Sequence, residues 1–253
     1  ILQGTAERYN RAVSLMGRDR ARRIHAFSLE NHRRMAETIE TEDIACAYRR
    51  RGSLQLAGSP LEVEELEESA TLLREDGFEA VHLTQDALAP ALQHAGFTMG
   101  IHMPADGELH PAQFVRGVGH AAARHGARVF EGSSVRTLDA GSTGDVRVET
   151  EHGEVRAAMV ILATNARAGD LIPFFADKVD PVRGQMLATA PCEPRFDCPI
   201  YANHGYDYWR QDEHGRVVLG GWRNLDPDGE VGHEEQVRDD IQEKMVEFLA
   251  RMD

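Results

Sequence analysis

Val155 to Gly169 reads VRAAMVILATNARAG, and the fold class turns on how this stretch is read. In an extended chain Val155, Ala157, Met159, Ile161 and Ala163 fall on one face, and Val160 and Leu162 make the other face apolar too. Apolar character on both faces predicts a central strand of a covered sheet. The run stops at Thr164-Asn165 and passes through small residues to Gly169. Open α/β sheets bind ligands outside the carboxyl ends of such strands. An ordinary buried strand with its exit loop has the same pattern, so the stretch by itself assigns no function.

Immediately upstream, Val146, Val148 and Thr150 alternate, and Glu151-His152-Gly153-Glu154 predicts a hairpin turn into the long strand. Before it the sequence predicts a strand over 127–131, a crossing strand over 134–138 and a Gly/Ser turn at Gly141–Gly144. A helix is predicted over 111–125, with Gly126 as its stop. It contains Gly117-Val118-Gly119-His120-Ala121-Ala122, which matches GxGxxA, but a dinucleotide fingerprint needs its glycines in a strand-to-helix turn. Mid-helix glycines cost about 1 kcal/mol each against Ala, and close packing of the helix on a sheet explains them better. An NAD(P)-linked reading therefore ranks last.

Toward the N-terminus, residues 5–40 predict two helical pieces broken near Gly17, and 46–57 predicts strand, turn, strand. Ser59-Pro60-Leu61-Glu62 is a helix start with N-cap Ser, Pro at N1 and Glu at N3. A short helix near 86–95 and a strand over 98–103 follow. Downstream, strands are predicted over 182–189, 201–210 and 216–222, with Tyr206, Tyr208 and Arg210 on one face of the second. A closing helix is predicted over 233–252.

The formal net charge of −14 argues against a general nucleic-acid binder. Residues 1–51 depart from this balance, with 11 Arg against 7 Asp and Glu. A run of that kind is more often a solvated helix face than a phosphate contact. No apolar run approaches the roughly 20 residues needed to span a bilayer. Three scattered cysteines without a CxxC pair predict reduced thiols and a cytoplasmic setting. His233-Glu234-Glu235-Gln236-Val237 begins like HExxH but lacks the second His, so no metal site is expected. The chain starts at Ile1 and ends at Asp253 within a helical pattern, and is expected to be a fragment.

Three segments in order, PADGELHPAQFVRGVGHAAARHGARVFEGSSVRTL, VRVETEHGEVRAAMVILATNARAG and VDPVRGQMLAT, span Pro104 to Thr189 and resemble the D-amino-acid-oxidase-like family of FAD-dependent amine oxidoreductases. The later YANHGYDYWRQDEHGRVVLGGWR resembles that family's substrate-domain hairpin. The family opens with a strand–GxGxxG–helix unit and closes with a Trp/Gly-rich stretch, neither of which is in this sequence, so the resemblance is to the middle of such an enzyme. It implies an α/β fold (α+β overall), with a partial FAD-binding doubly wound domain over 1–41 and 106–178. A mixed, largely antiparallel substrate domain over 42–105 and 179–253 is interleaved with it. Ser134 and Val135 match the crossing strand that meets the adenine. Ala163, Thr164, Asn165 and Ala166 match the loop near the pyrophosphate. Tyr206 and Tyr208 are candidates to wall the space over the flavin, and cross-strand packing is their alternative role. Arg183 or Arg210 is a candidate for a bidentate contact to a substrate carboxylate, and a surface ion pair is the alternative.

The implied chemistry is hydride removal from the carbon bearing the amine to flavin N5, then imine hydrolysis, with electrons passing to oxygen or another acceptor. The implied partner is a small-molecule amine or amino acid. A non-catalytic binding or assembly subunit that keeps the fold is the competing expectation.

Overall fold

The computed structural model describes residues 1–140 and 144–252. In chain order the elements are α1 (Tyr9–Met16), α2 (Arg18–Thr41), β1 (Ser53–Ala57), α3 (Pro60–Glu75), β2 (Val81–Thr84), α4 (Pro90–His94) and β3 (Met99–Met103). Then come α5 (Pro111–Arg124), β4 (Val135–Ala140), β5 (Val146–Thr150), β6 (Gly153–Ala157) and α6 (Ala168–Leu171). Last are β7 (Gln185–Pro191), β8 (Ile200–Ala202), β9 (Asp207–Gln211), β10 (Arg216–Gly221) and α7 (Asp239–Ala250). This is the mixed α/β class expected. No helix among the described residues is long and apolar enough to cross a membrane.

Two compact units form. The first comprises 1–122, 184–225 and 236–253, and the second 123–183 and 226–235. The helices of 1–41 therefore pack in the same unit as 42–105.

The first unit is built on a seven-stranded sheet of order β2-β3-β1-β8-β9-β10-β7. Among the described strands only β1 and β8 pair in parallel; the other pairings are antiparallel. One face carries Leu54, Leu56, Ile200, Trp209, Val217 and Leu219, which pack with Leu92 of α4 and with Ile241, Met245 and Phe248 of α7. Trp209 is 2% exposed, and its ring meets Phe97, Phe196 and Phe248 at centroid distances of 6.1, 6.2 and 5.2 Å. On the opposite face Ala57, Met99, Ile101 and Met103 pack beneath Tyr9 and Ala12 of α1, Ala21 of α2 and Leu66, Ala70 and Leu73 of α3.

Local signals set several of these elements. The capping box at α3 forms as its sequence requires: Glu62 N–H donates to Ser59 Oγ at 3.3 Å, and Ser59 N–H donates to Glu62 Oε2 at 3.3 Å. The helix break falls at Gly17. Arg18 pairs with Glu75 and Asp76, and Arg33 and Arg34 pair with Glu30, which makes these arginines part of a solvated helix face. Gly117 does not face a sheet. A Cβ there would overlap Ile44, so α5 is pressed on the loop before Cys46, and Gly119 has open space around it.

The second unit holds a three-stranded antiparallel sheet of order β4-β5-β6. The expected buried central strand does not form. Its strand is only Gly153–Ala157, at the edge of this sheet. Residues 158–164 pair with no strand among the described residues, and Met159 and Ile161 are 79% and 85% exposed. Two-faced apolarity records a tendency to be buried; burial itself needs flanking strands and covering layers. The strand expected over 127–131 is likewise not formed, and Val129 and Phe130 are exposed. Of the expected Gly/Ser turn, Gly141, Ser142 and Thr143 lie outside the described residues. The closing helix begins at Asp239 rather than His233.

One packing interaction has a pH signature. His25 of α2 is buried between Tyr9 and Phe78, with ring centroids at 5.4 and 4.3 Å, and its Nε2 lies 3.0 Å from Gln3 Oε1. Burial, with a smaller contribution from His32, pulls its pKa down to about 4. The unfolded chain takes up the proton near pH 6.5, before the native chain does. The stabilisation is therefore complete above about pH 6.5 and is lost as pH falls toward about 4. It amounts to about 3 kcal/mol. Urea denaturation at pH 7 and at pH 4.5 should show wild type losing about that much more stability than His25→Leu. Equal losses in the two proteins would contradict this assignment.

Candidate functional site

The open part of the sheet face is set by register. Gln55 lies opposite Tyr201, Tyr201 opposite Tyr208, Tyr208 opposite Gly220, and Gly220 opposite Met186. Cross-strand partners share a face, so one row crosses β1, β8, β9, β10 and β7. Helices α1 to α3 cover the face over β1 and β3. Over β8, β9, β10 and β7 a cavity of about 360 Å³ remains, lined by Tyr201, Tyr208, Arg210, Glu108, Met186 and Val218 among others. Tyr201 also borders a smaller cavity of about 100 Å³ beneath the helices, shared with Gln3, Tyr9, His25 and Gln55.

Gly220 makes the row possible. A Cβ there would overlap Met186 Sδ and stand 2.6 Å from Tyr208 Cε2. The Tyr201 and Tyr208 rings lie 6.1 Å apart. Burial first, then Asp106 and Tyr208, pushes the Tyr201 phenol up to about 12, and burial also raises Tyr208. Both hydroxyls therefore remain protonated at neutral pH and can donate a hydrogen bond.

Arg210 stands at the cavity wall beside Glu108, whose carboxylate is 5% exposed. Arg210 Nη1 donates to Glu108 Oε2 at 3.2 Å, and Arg49 Nη2 lies 2.7 Å from Glu108 Oε1. Arg49 Nη2 also donates to the Gln211 carbonyl at 3.3 Å. The Glu108 backbone is held too: Arg49 and Glu108 exchange N–H···O bonds of 2.9 Å in both directions. Gly107 permits this approach, since a Cβ there would come within 2.9 Å of the Arg49 carbonyl oxygen. Nε and Nη2 of Arg210 carry no hydrogen bond from the described residues.

Tyr208 and Arg210 lie on the cavity as a pair. Tyr206 does not join them. The strand expected over 201–210 is broken by Asn203, His204 and Gly205, all at positive φ (48°, 54° and 85°), so β8 and β9 form a hairpin and Tyr206 sits at its corner. It is 39% exposed, with Arg223 over its ring at 5.8 Å. Nothing in the sequence pattern marks Tyr201 or Glu108 as a site residue. Tyr201 shows only as the cross-strand partner of Tyr208, and Glu108 sits in a segment that reads as a turn.

In the second unit Arg183 is occupied locally. Its Nη2 donates to the Gly229 carbonyl at 2.7 Å and its Nη1 to the Glu234 carbonyl at 3.4 Å, with Nε 3.5 Å from Glu230 Oε2. Ser134 and Val135 stand at the start of β4. Ala163, Thr164, Asn165 and Ala166 lie in the turn that leads into α6, which rests on β4. Thr164 and Asn165 are exposed, the Thr164 carbonyl accepts from Arg167 N–H at 3.1 Å, and Asn165 has φ 50°. Their side chains cap no helix end, and 163–166 contains no acidic residue. A hydroxyl, an amide and a left-handed turn without negative charge suit a phosphate-bearing nucleotide.

Replacing Gly220 with Ala tests the row directly. The added methyl must displace the Tyr208 ring and Met186, at a cost of roughly 1–3 kcal/mol in chemical denaturation. An unchanged midpoint and slope would mean the two rings are not packed over Gly220 as described.

The chain matches the family model of FAD dependent oxidoreductases (DAO) over residues 2–252. It is 27% identical over 227 residues to gamma-glutamylputrescine oxidoreductase of Escherichia coli strain K12, covering 84% of this chain and 53% of that protein. It is 25% identical over 160 residues to glycine oxidase of Geobacillus kaustophilus, covering 61% of this chain and 42% of that one. In fold, the crystal structure of glycine oxidase from Geobacillus kaustophilus superposes with TM-score 0.72 at 19% identity, covering 88% of this chain and 61% of that structure. The crystal structure of L-proline dehydrogenase from P. horikoshii also gives 0.72, at 16% identity, covering 87% and 61%. The chain thus spans about half the length of the relatives it matches.

Proposed function

We propose an activity that rests on one established fact: this chain belongs to the FAD dependent oxidoreductase family. The whole protein oxidises the C–N bond of a small amine or amino acid that carries a carboxylate. Bound flavin supplies the acceptor for hydride from the carbon bearing the amine, and oxygen or another acceptor takes the electrons afterwards. The observation that carries the substrate side is the cavity over β8, β9, β10 and β7, with two phenols and Arg210 on one wall. Relatives named for γ-glutamylputrescine and glycine support a substrate that bears both an amine and a carboxylate.

Each residue has a defined task in this reading. Tyr201 and Tyr208 form the apolar wall that orients the reacting carbon and keeps water away, and their hydroxyls donate to the substrate. Arg210 takes the carboxylate on its Nε–Nη2 edge. Arg183 is assigned a local structural role, because its guanidinium is committed to Gly229 and Glu234. Tyr206 belongs to the rim. Thr164, Asn165 and the backbone of Ala163 and Ala166 hold the pyrophosphate, and Ser134 and Val135 meet the adenine.

The test is the visible spectrum of the full-length protein under anaerobic conditions, before and after addition of amines with and without a carboxylate. The expected result is a flavin spectrum bleached by the carboxylate-bearing amines. Arg210→Met should keep the flavin and raise KM for those amines roughly 10- to 100-fold, the size of a lost charge-assisted contact. A colourless protein, or a flavin that no amine bleaches, would overturn the reading.

A further inference from the structure

The cation at the cavity is not isolated. Glu108 lies between Arg49 and Arg210, 2.7 Å from one guanidinium and 3.2 Å from the other. Its carboxylate is nearly sealed from water, so the charge of this group acts on the cavity with little screening. Two guanidiniums and one carboxylate leave a single surplus positive charge. Burial also raises the pKa of the neighbouring Asp106 carboxyl. Asp106 is also held by Ser53 Oγ at 2.6 Å and by Gln3 N–H at 2.8 Å.

We propose that Glu108 is a specificity-determining residue that restricts the site to substrates with one carboxylate, by cancelling one of the two guanidiniums beside the cavity. The proposal rests on the reading of Arg210 as the carboxylate contact. A monocarboxylate matches the surplus of one. A dicarboxylate brings a second negative charge into a site whose second cation is already paired, and it must leave that charge unpaired or compete with a fixed, buried Glu108. The backbone exchange between Arg49 and Glu108 keeps the carboxylate from moving aside. Specificity here comes from a repulsive group placed next to an attractive one.

Charge counting makes the proposal testable on the flavin-loaded full-length protein, with acetate and succinate as probes and calorimetric Kd values as the readout. Wild type, with a surplus of one, should prefer acetate. Glu108→Gln, with a surplus of two, should raise the succinate-to-acetate affinity ratio at least tenfold. Arg49→Met cancels the surplus and should weaken both probes. The double variant Glu108→Gln/Arg49→Met restores a surplus of one and should return the ratio to near the wild-type value, which also controls for damage to folding. An unchanged ratio in Glu108→Gln, or a double variant that keeps the raised ratio, overturns the proposal. Arg210→Met separates the two readings. If it binds acetate as tightly as wild type, the carboxylate role of Arg210 fails. If it loses acetate while Glu108→Gln leaves the ratio unchanged, only the role of Glu108 fails.

Discussion

A β-sheet presents two faces, and each must be buried or left for water or a ligand. In the first unit this constraint is met unevenly. One face is covered by α7 and α4, with Trp209, Leu219 and Met245 at the centre of the packing. The other is covered by α1, α2 and α3 only over β1 and β3, and the part over β8 to β7 remains open. That asymmetry creates the cavity, and the residues able to act on a small molecule are those the strand register aims into it.

The register also explains why the cavity has this chemistry. Gly220 opposite Tyr208 leaves the ring room to lie across the sheet, and Met186 fills the far side. Two positions along β9, Arg210 reaches a carboxylate held by a different part of the chain, because the Gly107 backbone can pass close to Arg49. A buried carboxylate is tolerated only with partners, and of the two guanidiniums that satisfy Glu108, that of Arg210 also lines the cavity. Packing and charge are therefore coupled at one wall.

Much of this organisation was legible in the sequence, for reasons that differ by element. The α3 start was readable because capping is local: Ser59, Pro60 and Glu62 satisfy their own orphan donors. The β9–β10 hairpin was readable from alternation and the Asp212–Gly215 turn. The hairpin corner at Asn203–Gly205 is harder to read, because its Asn and Gly turn signal lies within a run that otherwise alternates like one strand. Without that break Tyr206 would share the face of Tyr208. Met159 to Ile161 misled in the opposite way, since an apolar pattern says that a strand would gain from burial and not that neighbours are present to bury it. Tyr208 and Arg210 are legible as a pair two residues apart on a strand. Glu108 is not, because its partners Arg49 and Arg210 are distant in sequence and only the folded backbone brings them together.

A crystal structure of the flavin-loaded full-length protein soaked with propionate, a carboxylate that lacks the reacting amine, decides whether the open sheet face is the substrate site. The expected result is the carboxylate on the Nε–Nη2 edge of Arg210, with the alkyl chain against Tyr201 and Tyr208. Propionate bound at Arg183 or elsewhere, with the Tyr201–Tyr208 cavity unengaged, would contradict it.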